Sequence, residues 1–212
     1  METKHLHIGD IAPRFNANTT LGEIKLSDYI GKWLILFSHP GDFTPVCTTE
    51  IVAFSKANQE FNERNCSLLG LSVDSNSSHL SWVNNIQILT GITVPFPLIS
   101  DQNMKIAKMY NMVSNNINDS QTVRNVIILD PKQRIRLILI YPMEIGRNIY
   151  EILRCVDALQ ESDKTNMVIP ANWIPGTPTL NKAPKTYSEL IERPKNPNLN
   201  CLDWYLCFNN KI

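Results

Sequence analysis

The sequence lacks an excess of either charge, a long apolar run and an apolar N-terminal segment. Its 20 Lys and Arg residues balance its 20 Asp and Glu residues, so it has neither the charge excess of disordered chains nor the basic bias of nucleic-acid binders. No stretch approaches the roughly 18 continuous apolar residues of a membrane-spanning helix, and the start lacks the apolar core of a secretory signal. We therefore expect a soluble, cytoplasmic protein with no nucleic-acid or membrane partner.

The number of cysteines is odd. The chain has five cysteines, which are Cys47, Cys66, Cys155, Cys201 and Cys207. They cannot all pair within one molecule, so at least one thiol is free. No Cys-x-x-Cys pair occurs, which disfavours a thioredoxin-type disulfide reductase and a zinc site. Cys66 and Cys155 lie in a strand-like and a helical segment, where we expect them to pack as small hydrophobic residues.

Strand-like and helix-like segments alternate up to about residue 160. Apolar or β-branched runs predict strands at 33–38, 67–73, 98–100, 123–129 and 135–141. Apolar spacing predicts helices at about 44–61, 78–89, 104–110 and 146–160. The turn sequence Asp-Pro-Lys-Gln at 130–133 makes the last two strands an antiparallel hairpin. This pattern predicts an α/β, thioredoxin-like fold, in which helices flank a mixed central sheet.

Composition changes near the C-terminus. Six of the 13 prolines lie between Pro170 and Pro197, with little periodicity around them. We expect this stretch to wrap over a surface rather than form a core of its own. The predicted organisation is a domain over residues 5–165 and an extended C-terminal arm over 166–212.

In the second predicted helix, four apolar residues recur at helical spacing: Leu80, Val83, Ile86 and Leu89. They are predicted to form the buried face of that helix. His79, like the two histidines near the N-terminus, has no cysteine or carboxylate partner at metal-ligand spacing. We therefore assign it no role.

A loop with reactive residue types joins the strand at 33–38 to the next helix. Residues 39–50 read His-Pro-Gly-Asp-Phe-Thr-Pro-Val-Cys-Thr-Thr-Glu. Thr44 suits the helix cap and Pro45 the first helical position, so Cys47 lies in the first turn. Unpaired backbone N–H groups and the helix dipole favour a thiolate there, although an inert buried cysteine is the alternative. The Thr44 hydroxyl could cap the helix or donate to an incoming oxygen.

This loop resembles the active-site motif of the peroxiredoxin family, Pro-x-x-x-Thr-x-x-Cys, with Pro40, Thr44 and Cys47 at the matching positions. The longer string from His39 is similar to the peroxiredoxin-6-type branch, often called 1-Cys peroxiredoxins. Tyr-Pro at 141–142, Gly-Arg-Asn at 146–148 and Pro-Ala-Asn-Trp at 170–173 are also typical of that branch. The resemblance covers nearly the whole chain. It implies a thiol-dependent peroxidase, without cofactor or metal, that reduces hydrogen peroxide and organic hydroperoxides to water and alcohols.

The resemblance also implies a role for each site residue. Cys47 is the expected peroxidatic nucleophile, which becomes a sulfenic acid. Thr44 and backbone amides would hold the peroxide oxygens, and Pro40 would screen the thiolate from water. Arg124 would stabilise the thiolate and the developing charge on oxygen. A surface arginine at a strand end is the alternative for Arg124.

Supporting positions follow from the same resemblance. Arg147 matches a second arginine of this branch, and Glu50 is expected to orient one of the two arginines. Two interpretations of His39 are open. It could have a functional role, in which it tunes the cysteine or contacts substrate, or it could be an ordinary histidine at a strand end.

The C-terminal stretch from Cys201 to Cys207 resembles the Cys-x-Asp-Trp-x-x-Cys ending of archaeal and bacterial members. It implies that Cys207 resolves the sulfenic acid on Cys47 of a neighbouring subunit, and that Cys201 can take over by exchange. Reduction by an external thiol, either a thioredoxin-like protein or a low-molecular-weight thiol, is the alternative. The family implies a homodimer or a decameric ring. A non-enzymatic holdase is the competing class of function.

Overall fold

The computed structural model describes residues 6–114 and 118–209. Its internal contacts divide the chain into two compact units, Met1–Ile149 and Tyr150–Ile212. Residue 5, where the predicted domain begins, lies outside the described residues, and the domain boundary at residue 165 remains a prediction. Among the described residues, no helix combines the length and apolarity needed to cross a bilayer.

The first unit is built on a seven-stranded mixed sheet. The strands of this unit are β1 (Asn16–Thr19), β2 (Gly22–Lys25), β3 (Trp33–Ser38), β4 (Cys66–Ser72), β5 (Leu98–Ser100), β6 (Val113–Ser114), β7 (Asn118–Thr122), β8 (Arg124–Leu129) and β9 (Ile135–Tyr141). The order in the sheet is β2-β1-β5-β4-β3-β8-β9, while β6 pairs with β7. Strands β3, β4 and β5 are parallel neighbours, and the other pairs are antiparallel. The predicted mixed sheet is confirmed.

The centre of this sheet is apolar because its strands are covered on both faces. Every residue of β3 and of β8 is buried, as expected for strands that are covered on both faces, although β8 begins with the polar residues Arg124 and Asn125. Strand β9 pairs with β8 over Arg124–Leu129, which confirms the predicted hairpin. The carboxyl end of β3 opens into the loop at 39–44, so the sheet places that loop beside Arg124 at the start of β8.

Helices α1 (Pro45–Glu63), α2 (Asn76–Thr90) and α3 (Lys105–Met109) follow strands β3, β4 and β5. The buried face of α1 includes Cys47 and the apolar residues Ile51, Phe54, Ala57 and Phe61, which recur at helical spacing. The predicted face of α2 is only partly correct: Ile86 is buried, but Leu80 is 50% exposed and Leu89 is 71% exposed. The helix buries His79 and Trp82 along with Ile86. Hydrophobic periodicity missed this face because one of its members is polar.

The second unit contains more regular structure than its proline content indicated. It begins at the second residue of α4 (Ile149–Thr165) and includes the short helix α5 (Tyr187–Glu192). Three short strands, β10 (Thr179–Leu180), β11 (Leu199–Asp203) and β12 (Leu206–Asn209), form a sheet in the order β10-β12-β11. Strands this short carry too few residues to show alternation in the sequence.

Candidate active site

Cys47 lies in the first turn of α1 and is a free cysteine with none of its surface exposed. Thr44 occupies the N-cap position, as predicted, and Pro45 is the first helical residue. The Thr44 hydroxyl makes no capping hydrogen bond and instead donates to the Gly41 carbonyl at 2.9 Å. Pro40 is buried in the same loop. The loop therefore brings the three motif residues together around the start of α1.

Arg124 reaches the sulfur from the neighbouring strand β8. Its Nη1 lies 3.3 Å from the Sγ of Cys47. Its Nε and Nη2 donate to the Met143 carbonyl at 2.9 and 2.7 Å, which fixes the guanidinium plane. Only 3% of this residue is exposed, so Arg124 is not a surface arginine. A guanidinium donor at this distance stabilises negative charge on sulfur.

Glu50 binds both arginines rather than one. Its Oε2 accepts from Nη1 of Arg124 and from Nη2 of Arg147, each at 2.7 Å. Its Oε1 accepts from the backbone N–H and the Nε of Arg147, each at 2.8 Å. Burial raises the pKa of the Glu50 carboxyl, but the hydrogen bonds and charge of Arg147, together with the charge of Arg124, outweigh it and hold this pKa below its ordinary value.

Arg147 also binds the scaffold around Glu50. Its Nη1 donates to the carbonyl oxygens of Ser38 and Asn125 at 2.9 and 3.0 Å. Its guanidinium carbon lies 5.2 Å from the ring centre of Phe37 and 5.5 Å from that of Phe54, within the range of cation–π attraction. The two arginines thus differ, since Arg124 touches the sulfur while Arg147 holds Glu50 in place.

The lowered pKa of Glu50 predicts how the stability of the fold changes at acid pH. A carboxyl whose pKa is lower in the folded than in the unfolded chain stabilises the fold above its unfolded pKa, about 4.3 for glutamate. That stability is lost as the pH falls through the folded pKa. We expect the melting temperature to fall as the pH decreases below about 5, and to fall less steeply in Glu50→Gln. Glu192→Gln, which removes a carboxylate from an exposed ion pair, is the control. The prediction would be contradicted if the melting temperatures of Glu50→Gln and of the wild type fell equally steeply as the pH decreases.

His39 is buried at the start of the loop, and only one of its nitrogens is paired. Its Nε2 lies 3.0 Å from Oδ1 of Asp42, while its Nδ1 has no hydrogen-bond partner among the residues that the structure describes. Burial lowers the pKa of the His39 imidazole below its ordinary value, despite the opposing hydrogen bond with Asp42. Its ring centre lies 5.1 Å from that of Trp82. His39 is therefore part of the loop interior.

Asp42 and His79 are the residues that sequence reasoning missed. The Nδ1 of His79 lies 2.9 Å from Oδ2 of Asp42, so His79 has a carboxylate partner although none lies at metal-ligand spacing in the sequence. The two residues are 37 positions apart and meet because β4 pairs with β3 and leads into α2. Burial raises the pKa of Asp42, but hydrogen bonds with His39 and His79 outweigh it and hold this pKa well below its usual range. No local signal could have revealed this contact.

His39, Asp42 and His79 are all buried, and their side chains are of the types that bind transition metals. The closest nitrogen–oxygen distances among them are 2.9 and 3.0 Å. These are hydrogen-bond lengths, so the group is a hydrogen-bonded cluster in this structure.

The other cysteines fall into two classes. Burial raises the pKa of Cys66 to about 12. Burial and a hydrogen bond to Glu151 raise the pKa of Cys155 to about 11. Both are inert as thiols at neutral pH, as predicted for small packed residues. Cys201 and Cys207 are bonded to each other as a disulfide, and they face one another across the β11–β12 hairpin.

Comparisons with known proteins agree with this geometry. The model of the AhpC/TSA family matches residues 8–138, and the model of the C-terminal domain of 1-Cys peroxiredoxin matches residues 158–196. The chain is 58% identical to "Peroxiredoxin 2" of Caldanaerobacter subterraneus subsp. tengcongensis, over 95% of this chain and 91% of that protein. It is 45% identical to "Peroxiredoxin" of Aquifex aeolicus, over 94% and 95% of the two chains.

Solved structures give the same result. A yeast mitochondrial 1-Cys peroxiredoxin, 42% identical, superposes with a TM-score of 0.87 over 97% of this chain and 100% of that one. Peroxiredoxin 6 of Arenicola marina, solved as a cysteine-to-serine mutant, is 32% identical, with a TM-score of 0.87 over 98% and 99% of the two chains. The chain therefore belongs to the AhpC/TSA family of peroxiredoxins, in its 1-Cys, peroxiredoxin-6-type branch, and is a thiol-dependent peroxidase.

Proposed function

We propose that Cys47 is the peroxidatic cysteine and that it reduces both hydrogen peroxide and organic hydroperoxides. The observation that carries this proposal is the contact between Arg124 and the sulfur of a buried, free cysteine, at 3.3 Å. The thiolate attacks the terminal peroxide oxygen, the O–O bond breaks, and the sulfur is oxidised to a sulfenic acid. The leaving hydroxide or alkoxide takes up a proton and departs as water or alcohol.

Each residue around Cys47 has a part in this step. Thr44 and the free N–H groups of the first turn would bind the peroxide oxygens, with the Thr44 hydroxyl released from the Gly41 carbonyl. Pro40 would keep water from the sulfur, and Arg124 would stabilise the charge that moves from sulfur to oxygen. Glu50 and Arg147 hold Arg124 in position, and His39 supports the loop.

Cys207 is proposed to resolve the sulfenic acid. Its thiol would attack the Cys47 sulfur, forming a Cys47–Cys207 disulfide and releasing water. A Cys201 thiolate would then attack the Cys207 sulfur, which frees Cys47 as a thiolate and leaves the Cys201–Cys207 disulfide. The register of β11 and β12, which places these two cysteines directly opposite each other, supports the exchange. An external thiol, of the thioredoxin type or of low molecular weight, would finally reduce that disulfide.

The Cys47–Cys207 bond is proposed to form between subunits of a homodimer or decamer. A disulfide needs the two Cα atoms to approach within about 7 Å, so the first turn of α1 must unwind locally to present Cys47. The proline-rich stretch between Pro170 and Pro197 suits a segment that extends away from its own domain. The domain limits at 5–165 and 166–212 and a cytoplasmic location belong to the same proposal.

Trapping the intermediates tests this sequence of steps. Reduced wild type, Cys201→Ser and Cys207→Ser are treated with one equivalent of peroxide and run on non-reducing gels with peptide mapping. We expect the wild type to accumulate the Cys201–Cys207 disulfide, because exchange releases Cys47. Cys201→Ser should stop at a Cys47–Cys207 dimer, and Cys207→Ser should retain Cys47 as an oxygen adduct, since each lacks the next attacking thiol.

The buried Cys155 provides a matched control, because Cys155→Ser should behave as the wild type. If wild type, Cys201→Ser and Cys207→Ser all stay monomeric and carry only oxygen adducts on Cys47, the C-terminal cysteines take no part. The enzyme would then be a 1-Cys peroxidase that an external thiol reduces directly.

A further inference from the structure

A cluster of polar side chains lies buried beneath the active-site loop. Asp42, His39 and His79 have side chains that are at most 1% exposed. Oδ1 of Asp42 lies 3.0 Å from Nε2 of His39 and 3.0 Å from Nδ1 of His79, while its Oδ2 lies 2.9 Å from the same Nδ1. The second nitrogen of His79, Nε2, lies 3.1 Å from the carbonyl oxygen of Ile99. The cluster thus connects the loop, α2 and β5.

The hydrogen bonds of His79 limit which of its ring nitrogens can carry a proton. A backbone carbonyl only accepts, and so does an ionised carboxylate, whereas a neutral imidazole donates from one nitrogen alone. Both ring nitrogens of His79 face such oxygens. Either His79 donates from both nitrogens as an imidazolium, or Asp42 carries a proton and donates it to Nδ1. The depressed pKa of Asp42 favours the first arrangement.

The loop needs such an anchor because one of its residues adopts an unfavourable backbone conformation. Phe43 adopts a φ of 54°, in the left-handed region that large side chains rarely occupy, and such conformations persist only where the surroundings hold them. The backbone N–H of Asp42 donates to Asp74 at 3.0 Å, and Thr122 donates to the carbonyl of His39 at 2.6 Å. Asp42 lies between Pro40 and Thr44, and its side chain bonds this part of the loop to α2.

We propose that Asp42 and His79 are positioning residues for peroxide reduction. They form a buried carboxylate–imidazolium pair that fixes the loop carrying Pro40 and Thr44. This inference rests on the proposed roles of Cys47 and Thr44 for its effect on rate. The protonation state of His79 is independent of those roles.

The protonation state is tested by NMR of protein labelled with ¹⁵N at histidine only. The chain has four histidines, and the signals lost in His79→Gln assign those of His79. Near neutral pH we expect both ring nitrogens of His79 to be protonated. One unprotonated nitrogen in wild-type His79 would overturn the ion pair, whatever the role of Cys47.

Two substitutions of Asp42 separate positioning from charge. In Asp42→Asn, the amide oxygen can accept from His39 and the amide N–H can donate to a neutral His79, so one hydrogen bond to each histidine is kept. Asp42→Ala removes them all. We expect Asp42→Ala to lower kcat/KM for peroxide by on the order of tenfold to a hundredfold, the scale of a small misplacement of reacting groups, while Asp42→Asn keeps most of the rate.

The outcomes are distinct. A wild-type rate in a folded Asp42→Ala would overturn the positioning role, and so would equal losses in Asp42→Ala and Asp42→Asn. Where Asp42→Ala does not fold, Asp42→Asn still decides the charge, because its His79 should show one unprotonated nitrogen. Two protonated nitrogens in that variant would overturn the pairing. A wild-type protein that leaves peroxide untouched would instead refute the proposed function.

Discussion

Cys47→Ser is expected to abolish peroxide reduction, the largest effect of any single substitution in this chain. A serine hydroxyl stays protonated at neutral pH and offers no anionic nucleophile, and the guanidinium of Arg124 cannot change that. Because Cys47 is completely buried and serine is of similar size, the fold should survive. Stopped-flow measurement of peroxide consumption, with a thiol reductant in excess, gives the rate.

Cys66→Ser is the matched control, since Cys66 is buried but its thiol is inert. It should lower stability and leave peroxide reduction intact. Turnover retained in Cys47→Ser would show that the nucleophile lies elsewhere. A wild type that consumes no peroxide at all would favour the non-enzymatic holdase class.

The sequence predicted the strand, loop and helix around Cys47 because their signals are local. The apolar run Trp33–Ser38 is the strand β3 with the same bounds. Helix α1 begins at Pro45 with Thr44 at its N-cap, as the preferences of proline and threonine indicate. The position of Cys47 in the first turn can therefore be predicted without any knowledge of the remaining chain.

The contacts around that loop could not be predicted because they join distant parts of the chain. Glu50 was expected to orient one arginine, but it binds both Arg124, at the start of β8, and Arg147, in the segment between β9 and α4. His79 was assigned no role, because its carboxylate partner is 37 residues away. The order of β4, β3 and β8 in the sheet brings Arg124 to Glu50 and His79 to Asp42, and one sequence does not show that order.

Arg124→Met is expected to slow the oxidation of Cys47 by about tenfold to a thousandfold, the range for losing one transition-state donor. The fold should tolerate the change, because Glu50 keeps its bonds to Arg147. The rate is followed by stopped flow under single-turnover conditions, and stability by thermal unfolding. Arg124→Lys, which keeps the charge but not the planar donor array, should recover part of the rate.

Arg147→Met is the matched comparison, because it removes the other guanidinium from the same carboxylate. It deletes the bonds to the carbonyls of Ser38 and Asn125 and the two side-chain bonds to Glu50, while the backbone N–H of residue 147 still donates to Glu50. Breaking a buried pair so that one charge is left uncompensated costs about 3 to 5 kcal/mol of unfolding free energy, and the loss here should be smaller because Arg124 still pairs with Glu50. We therefore expect Arg147→Met to lose more stability than Arg124→Met.

The two variants should separate rate from stability because only Arg124 touches the sulfur. In Arg147→Met, Glu50 still accepts from Nη1 of Arg124, and the Met143 carbonyl still fixes the guanidinium plane. The oxidation rate of the folded fraction should then fall less than in Arg124→Met. If Arg124→Met instead oxidises Cys47 at the wild-type rate while Arg147→Met does not, Arg147 is the arginine that stabilises the transition state.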